Sequence, residues 1–297
     1  MRSSILFGGA AFAVALSACT PANQDDTNTE IDVAAQGFFV EVHDGEFATI
    51  QQFTTPGGVS VWLVEEPSIP ILSLRMAWQA GETNDPEGLE GLTNAMVYHM
   101  NEGAGELDAQ AFFKGMEELN MSFSCGASNE STYCNASMLT DNADASFDMI
   151  ALAFAEPRFD DGPFERFKRE QEVSLQTRET NPQYLASRAR ADALYPEHAY
   201  ARETDAASLA ALTHAAMRTQ KDMLMVQDGM LVTAVGAMSP EELAPLIDKA
   251  VSGLPETSET AETSDVVLAA AATAPVVIEL PQPQSLVTFA APAMTRE

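Results

Sequence analysis

Basic residues are scarce in this chain. The 297 residues include 15 lysines and arginines against 44 aspartates and glutamates, which gives a formal net charge of -29 at pH 7. Nucleic-acid binding depends on clustered lysine and arginine side chains that neutralise phosphates. The composition therefore argues against nucleic acid as a partner, and the acidity favours solubility and weak repulsion from anionic surfaces.

Histidine is equally scarce. The four histidines are His43, His99, His198 and His214, and no two of them are four positions apart. Two histidines on one helix face can bind the same zinc ion when they are four residues apart, as in H-E-x-x-H and H-x-x-E-H. Neither motif occurs in the chain, and G-x-S-x-G, which marks a serine nucleophile, is also absent. The sequence therefore lacks the common zinc-protease and serine-hydrolase motifs.

The apolar run near the N-terminus is too short for a permanent membrane span. Arg2 precedes an apolar region over residues 5–16, and Leu16-Ser17-Ala18-Cys19 resembles a bacterial lipobox, in which the cysteine is lipidated. We expect residues 1–18 to be a lipoprotein signal peptide and residues 19–44 to be a polar tether. Acyl chains on Cys19 would then anchor the protein to a membrane of the cell envelope, facing the periplasm. The alternative is an ordinary secretory signal with a cysteine nearby by chance.

Residues 45–255 have the pattern of one α+β domain. Alternating apolar residues predict strands at 47–53, 59–65, 71–80, 121–128, 131–140 and 230–237. Helical periodicity predicts helices at 89–100, 108–119, 142–155, 163–180, 184–194, 205–212, 215–226 and 241–252. Because strands and helices are segregated along the chain, we expect a largely antiparallel sheet with helices packed on one face.

From Leu89 to Gly103 the chain reads L-E-G-L-T-N-A-M-V-Y-H-M-N-E-G. This stretch resembles the active-site helix of the inverted-zincin peptidases, the pitrilysin and insulinase (M16) family, which reads roughly G-L-x-H-x-x-E-H-M. Asn94 then occupies the position of the first histidine, Val97 that of the glutamate and Tyr98 that of the second histidine. An amide and a phenol do not replace imidazole ligands, and valine cannot act as a general base. The resemblance implies a degenerate site with no zinc and no catalytic residue.

A second helix carries the same resemblance. Residues 163–180 resemble the family's E-R-E-x-V-x-x-E helix, whose last glutamate is the third zinc ligand. Alignment on Val173 puts Gln176 at that ligand position. Glu172 and Glu179 are close enough that a shift by one helical turn would restore a carboxylate. The alternative is that they are solvated charges on an amphipathic helix, and the two imidazoles are missing in either case.

His198 and Tyr200 are candidate cleft residues. They lie in the segment L-Y-P-E-H-A-Y-A-R. This segment resembles the H-P-Y segment that the family places near its substrate cleft. The resemblance therefore implies that both side chains lie beside bound peptide.

The remaining two cysteines, Cys125 and Cys134, lie in a predicted hairpin. A two-residue turn at Asn129-Glu130 places them opposite each other on one face of the hairpin. In an exported protein such a pair can be oxidised, and the number of cysteines is even once Cys19 carries lipid. A shift of the register by one residue would leave two buried free thiols, so both alternatives stay open.

Residues 256–273 are rich in threonine, serine, glutamate and alanine, and we expect them to form an interdomain linker. Two β-rich stretches follow, at 276–280 and 285–290. The resemblance implies that residues 274–297 are the opening hairpin of a second, truncated domain of the same fold. An isolated hairpin is marginal in water.

The resemblance also implies a function. Peptidases of this family work as two halves that close on a peptide, often one competent and one degenerate. We therefore expect a lipid-anchored, catalytically inactive homologue that acts as a substrate-binding or structural subunit beside an active zinc peptidase. One alternative is an active metallopeptidase with non-standard ligands, for which His99 with Glu102 and His43 with Glu46 offer two donors each. The other is a solitary structural lipoprotein of the envelope.

Overall fold

The computed structural model describes residues 28–33, 38–45, 47–259, 275–281 and 283–291. The strands are β1 (Asn28–Val33), β2 (Phe38–Asp44), β3 (Thr49–Thr54), β4 (Ser60–Glu65), β5 (Ile71–Trp78), β6 (Gly103–Ala104), β7 (Leu107–Asp108), β8 (Ser122–Ala127), β9 (Thr132–Leu139) and β10 (Leu231–Gly236). The helices are α1 (Leu92–His99), α2 (Ala109–Glu118), α3 (Ala143–Ala155), α4 (Asp161–Arg178), α5 (Pro182–Leu194), α6 (Ala206–Ala211), α7 (His214–Leu224) and α8 (Pro240–Val251). None of the helices in the described ranges is long and apolar enough to cross a membrane.

Eight strands form one sheet in the order β1-β2-β3-β4-β10-β5-β9-β8. Strands β4 and β10 run parallel, and the other neighbouring pairs run antiparallel. Strands β6 and β7 form a separate short pair. The prediction of an α+β fold with a largely antiparallel sheet is confirmed.

The helices cover one face of the sheet. Along β5 the side chains of Leu72, Leu74, Met76 and Trp78 are buried, whereas the intervening Ser73 is exposed. The buried side chains pack against the apolar faces of the helices, including three of the largest fully buried rings, Phe112, Phe147 and Phe154. Burial of a side chain of this size contributes about 1.5–3 kcal/mol to the folded state.

The sheet begins earlier in the chain than predicted. Strands β1 and β2 lie inside residues 19–44, and they pair with each other and with β3. In β2, Phe38 and Val40 are buried while Phe39 is exposed, which is the alternation of a half-buried strand. The prediction of a tether is therefore wrong from Asn28 onward, because the residues after the polar stretch pair as strands and those of β2 alternate between buried and exposed.

The described residues near the C-terminus do not form the predicted hairpin. Neither residues 275–281 nor residues 283–291 form a strand or a helix. Val277, Val287 and Phe289 in these stretches are exposed. Pro281 and Pro283 remove two backbone donors from the segment, and a hairpin without further strands or a packing surface is marginal in water.

Candidate functional site

Helix α1 starts immediately after Gly91. The backbone of Gly91 has a φ of 93°, in the left-handed region. A Cβ atom at this position would lie 2.4 Å from Oγ1 of Thr204. The conformation and the close approach both require glycine, and together they fix where α1 begins.

A buried carboxylate caps the first turn of α1. Asp85 accepts hydrogen bonds from the backbone N–H of Gly91 at 2.8 Å and of Thr93 at 2.9 Å, and from the Thr93 hydroxyl at 2.5 Å. Gln220 on α7 donates to Asp85 at 3.2 Å and to the Thr93 hydroxyl at 2.8 Å. Burial raises the pKa of Asp85 to about 6, although its hydrogen bonds act in the opposite direction. These hydrogen bonds connect the N-terminus of α1 to α7.

The three positions of the altered motif differ in their surroundings. Asn94 is exposed, Tyr98 is half-buried and Val97 is only 4% exposed. Asn94 and Tyr98 are four residues apart and therefore lie on one side of α1. Val97 packs in the hydrophobic core, where it presents methyl groups and no group that can accept a proton.

Helix α4 packs against α1 and supplies the polar partners of Tyr98. The Tyr98 hydroxyl donates to Glu170 at 3.3 Å. Arg166 donates to Glu102 at 2.6 Å, and hydrogen bonding to Tyr98 and Glu102 raises the pKa of the Arg166 guanidinium. Gln176, predicted at the third ligand position, is exposed. The α4 carboxylate beside the altered motif is therefore Glu170, which sequence reasoning missed.

These residues do not fit a zinc ion. Structural and catalytic zinc sites use thiolates, neutral imidazoles and carboxylates, and catalytic sites use three such protein ligands. At the motif positions the chain offers an amide, a valine and a phenol that is hydrogen-bonded to a carboxylate. Within the described ranges, no three histidine, cysteine, aspartate or glutamate side chains are grouped so that they could hold a metal ion.

His99 is an unsuitable ligand for a non-standard site. Its side chain is fully buried. The ring centroids of Tyr98 and Phe167 lie 5.1 and 5.5 Å from the centroid of the His99 ring. The Nδ1 atom donates to the Ala95 carbonyl at 2.6 Å. Burial lowers the pKa of His99, so the ring is neutral at pH 7. Glu102, the second donor considered with it, pairs with Arg166 instead. His43 lies on β2, and Glu46 is outside the described residues.

The hairpin of β8 and β9 lies next to the altered helix. Cys125 pairs directly with Cys134 across the two strands, and a disulfide joins their sulfur atoms. Strand β8 is the last strand of the eight-stranded sheet, and α1 packs against it. In the described part of the chain no further strand pairs with the outer side of β8, where the Phe123 carbonyl accepts a hydrogen bond from the Asn101 side chain at 3.3 Å. An edge of this kind can accept an extended peptide.

A shallow depression of about 600 Å³, largely open to solvent, lies at the turn of this hairpin, and we call it the turn pocket. It is lined by Ser128, Asn129, Glu130, Tyr195 and Tyr200. The predicted cleft residue Tyr200 is thus part of a pocket wall. His198 is buried, and its Nδ1 accepts the backbone N–H of Tyr200 at 3.1 Å. His198 therefore orients the segment that carries Tyr200, whereas Glu130 and Tyr195 are lining residues that sequence reasoning missed.

Cys19, the predicted lipidation site, lies outside the described residues. The same is true of the predicted signal peptide, residues 1–18. The contacts described around α1 and β8 therefore do not depend on whether Cys19 carries lipid.

The fold and the α1–α4 pair define a peptidase-like α+β domain of the inverted-zincin type. Residues 60–208, which are 149 of the 297 residues, match the family model for insulinase, peptidase family M16. The chain belongs to this family. A comparison with curated proteins finds no match.

Solved structures share the fold. The peptidase M16 inactive domain from Pseudomonas fluorescens has a TM-score of 0.69 and 23% identity, over 73% of this chain and 54% of that one. The periplasmic protease PqqL from Escherichia coli has a TM-score of 0.67 and 16% identity, over 90% of this chain and 28% of that one. Pitrilysin has a TM-score of 0.63 and 18% identity, over 75% and 25% of the two chains. The chain thus spans about half, or less, of the length of these proteins.

Proposed function

We propose that this protein is a catalytically inactive member of the family that holds peptide, or completes the peptide chamber, beside an active zinc peptidase subunit. The observation that carries the proposal is the donor set on α1. The motif resemblance aligns Asn94, Val97 and Tyr98 with the family's two imidazoles and general base, and Tyr98 is hydrogen-bonded to Glu170. Two ligands and the proton acceptor are missing together, so hydrolysis through a zinc-bound water has no support from these residues.

Metal analysis tests the loss of catalysis. The purified mature protein should retain far less than one equivalent of zinc after dialysis and should show no chelator-sensitive cleavage of a casein hydrolysate. The variant Asn94→His with Tyr98→His is the matched control, because it restores two imidazoles four residues apart on α1 and should retain more zinc. Stoichiometric zinc together with chelator-sensitive cleavage by the wild-type chain would favour the rival proposal of an active metallopeptidase with non-standard ligands.

Peptide binding is the positive part of the proposal. The edge strand β8 lies beside α1, so a peptide that adds to β8 would pass the altered helix. Main-chain hydrogen bonds to a strand edge give affinity without a requirement for one sequence. Addition of the casein hydrolysate should slow deuterium exchange of β8 amides. Unchanged exchange at β8 with peptide at saturating concentration would count against this site.

The partner and the anchor require separate experiments. Affinity purification of the lipidated protein from its native host should recover a family member with an intact zinc motif. Recovery of no peptidase would favour a solitary structural lipoprotein of the envelope.

Labelling with a clickable fatty acid should mark the wild type and not the Cys19→Ser variant. A label that survives in this variant would contradict anchoring through Cys19 and leave the peptide-binding proposal intact.

A further inference from the structure

The turn pocket combines one acidic group with two aromatic rings. Glu130 is exposed and accepts a hydrogen bond from the Tyr200 hydroxyl. This hydrogen bond is the main cause that raises the pKa of Tyr200 to about 12. The phenol therefore remains a neutral donor near pH 7, and the negative charge of the pair lies on Glu130.

Glu130 has no counter-ion within the described residues. The lysine and arginine ion pairs there are made to other carboxylates, such as Glu102, Asp160 and Glu203. A carboxylate can accept several hydrogen bonds, and Tyr200 occupies one site on this one. The pocket therefore offers unused acceptor capacity to a cation that enters it.

The aromatic rings of Tyr195 and Tyr200 also line the turn pocket. The rings of Tyr195 and Tyr200 stand almost perpendicular, at 88°, with centroids 5.5 Å apart. The packing of Tyr200 on the buried His198, with centroids 4.4 Å apart, fixes the wall of the pocket. Aromatic faces attract ammonium and guanidinium groups, and the attraction adds to that of a nearby carboxylate.

The turn pocket also continues the edge of the sheet. Strand β8 ends at Ala127, and Ser128, Asn129 and Glu130 follow it directly in the chain. A peptide laid along β8 would therefore have one end beside the pocket. The net charge of -29 would further concentrate cationic segments near the protein.

From these contacts we infer that the turn pocket binds the lysine or arginine side chain of an extended peptide held on β8. This inference rests on the peptide-binding function proposed above and adds the class of side chain that is selected. The ammonium or guanidinium group donates to the Glu130 carboxylate and lies against the rings of Tyr195 and Tyr200. An acidic side chain is repelled by Glu130, and an aliphatic one gains only apolar contact.

Matched peptides test the inference on the full-length mature chain. The probe is a fluorescein-labelled, N-acetylated nonapeptide of alternating threonine and serine with a central lysine, and its two partners carry norleucine or glutamate at the centre. Fluorescence anisotropy should rank lysine above norleucine and norleucine above glutamate. The variant Glu130→Gln should bind the lysine peptide about ten-fold more weakly, as expected for the loss of a charge-assisted hydrogen bond, and should bind the norleucine peptide as the wild type does.

Two further variants keep the test specific. Glu197→Gln makes the same change of charge at an exposed position in the neighbouring loop, and it should leave the binding of every peptide unchanged. Tyr200→Leu should weaken binding of the lysine peptide more than that of the norleucine peptide. Equal binding of lysine and norleucine peptides, or equal effects of Glu130→Gln and Glu197→Gln, would overturn the pocket assignment while peptide binding on β8 stands. Binding of none of the peptides would overturn both the pocket assignment and peptide binding on β8.

Discussion

The substitution Asp85→Asn tests whether Asp85, buried at the start of the altered helix, titrates with a raised pKa. Asp85 is 4% exposed, and burial is the main cause that raises its pKa from an ordinary 3.8 to about 6. Hydrogen bonds from Thr93 and Gly91 lower the pKa and only partly offset this effect. Asparagine has a similar size and keeps one oxygen acceptor, but it stays neutral at every pH. The variant therefore removes the titration of this site.

The direction of the pKa shift gives the sign of the effect. Because the folded chain binds this proton more tightly than the unfolded chain, the stabilisation is full below pH 3.8 and is lost as the pH rises through about 6. A shift of about two units corresponds to roughly 3 kcal/mol in total. Between pH 8 and pH 5 the wild type should gain about 1.4 kcal/mol from Asp85, and the variant should lack that gain.

Urea unfolding at pH 5 and pH 8 measures this difference. Trp78 reports on the core because it is 3% exposed and its indole N–H donates to the Val226 carbonyl at 2.7 Å. The free energy of unfolding of the wild type minus that of the variant should be about 1.4 kcal/mol larger at pH 5 than at pH 8. Asp228→Asn, at an exposed position, controls for the change of net charge and should show no such difference. If the Asp85→Asn difference is the same at both pH values, Asp85 does not carry a raised pKa.

Three further predictions concern stability. Replacement of Cys125 and Cys134 by serine should lower the free energy of unfolding by about 2–3 kcal/mol, and a mass measurement that finds two free thiols in the mature wild type would contradict the disulfide. Phe147→Ala, at a fully buried position, should cost about 3–5 kcal/mol in the same urea assay. Ser239→Ala removes the side-chain acceptor for the Glu242 N–H at the start of α8 and should cost about 1 kcal/mol; a loss near zero would mean that the cap is not formed in solution.

Local sequence patterns were sufficient to predict most of the helices and strands of the fold. The sequence Ser239-Pro240-Glu241-Glu242 predicts the start of α8, and the structure has Ser239 as the N-cap with Glu242 completing a capping box. Asp108 likewise caps α2 by accepting the Ala111 N–H at 2.8 Å. The errors fall where local pattern is weakest. Strand β1 is a short run that follows a polar stretch of the sequence, and the predicted C-terminal hairpin has alternation but forms no strand within the described residues.

The site could be predicted only where its signal is local. The spacing of Asn94, Val97 and Tyr98 can be read directly from one helix. Contacts between distant parts of the chain produce no local sequence pattern, because the two partners are far apart in the sequence. Tyr98 and Glu170 are separated by 72 residues, and Glu130 and Tyr200 by 70. Which carboxylate meets which phenol depends on how the helices and the hairpin pack, and periodicity does not contain that information.

Under the proposed function, the contacts between α1 and α4 replace a link that a zinc ion would make. A metal ion with ligands on both helices would link them, and its removal would leave buried donors without a partner. Here Tyr98 on α1 donates to Glu170 on α4, and Arg166 on α4 donates to Glu102, three residues after the end of α1. These polar contacts would serve in place of the metal. Asp85 fixes the N-terminus of α1 independently of this pair. The helix beside β8 is therefore held in place by side-chain contacts, as the proposed binding of peptide without cleavage would require.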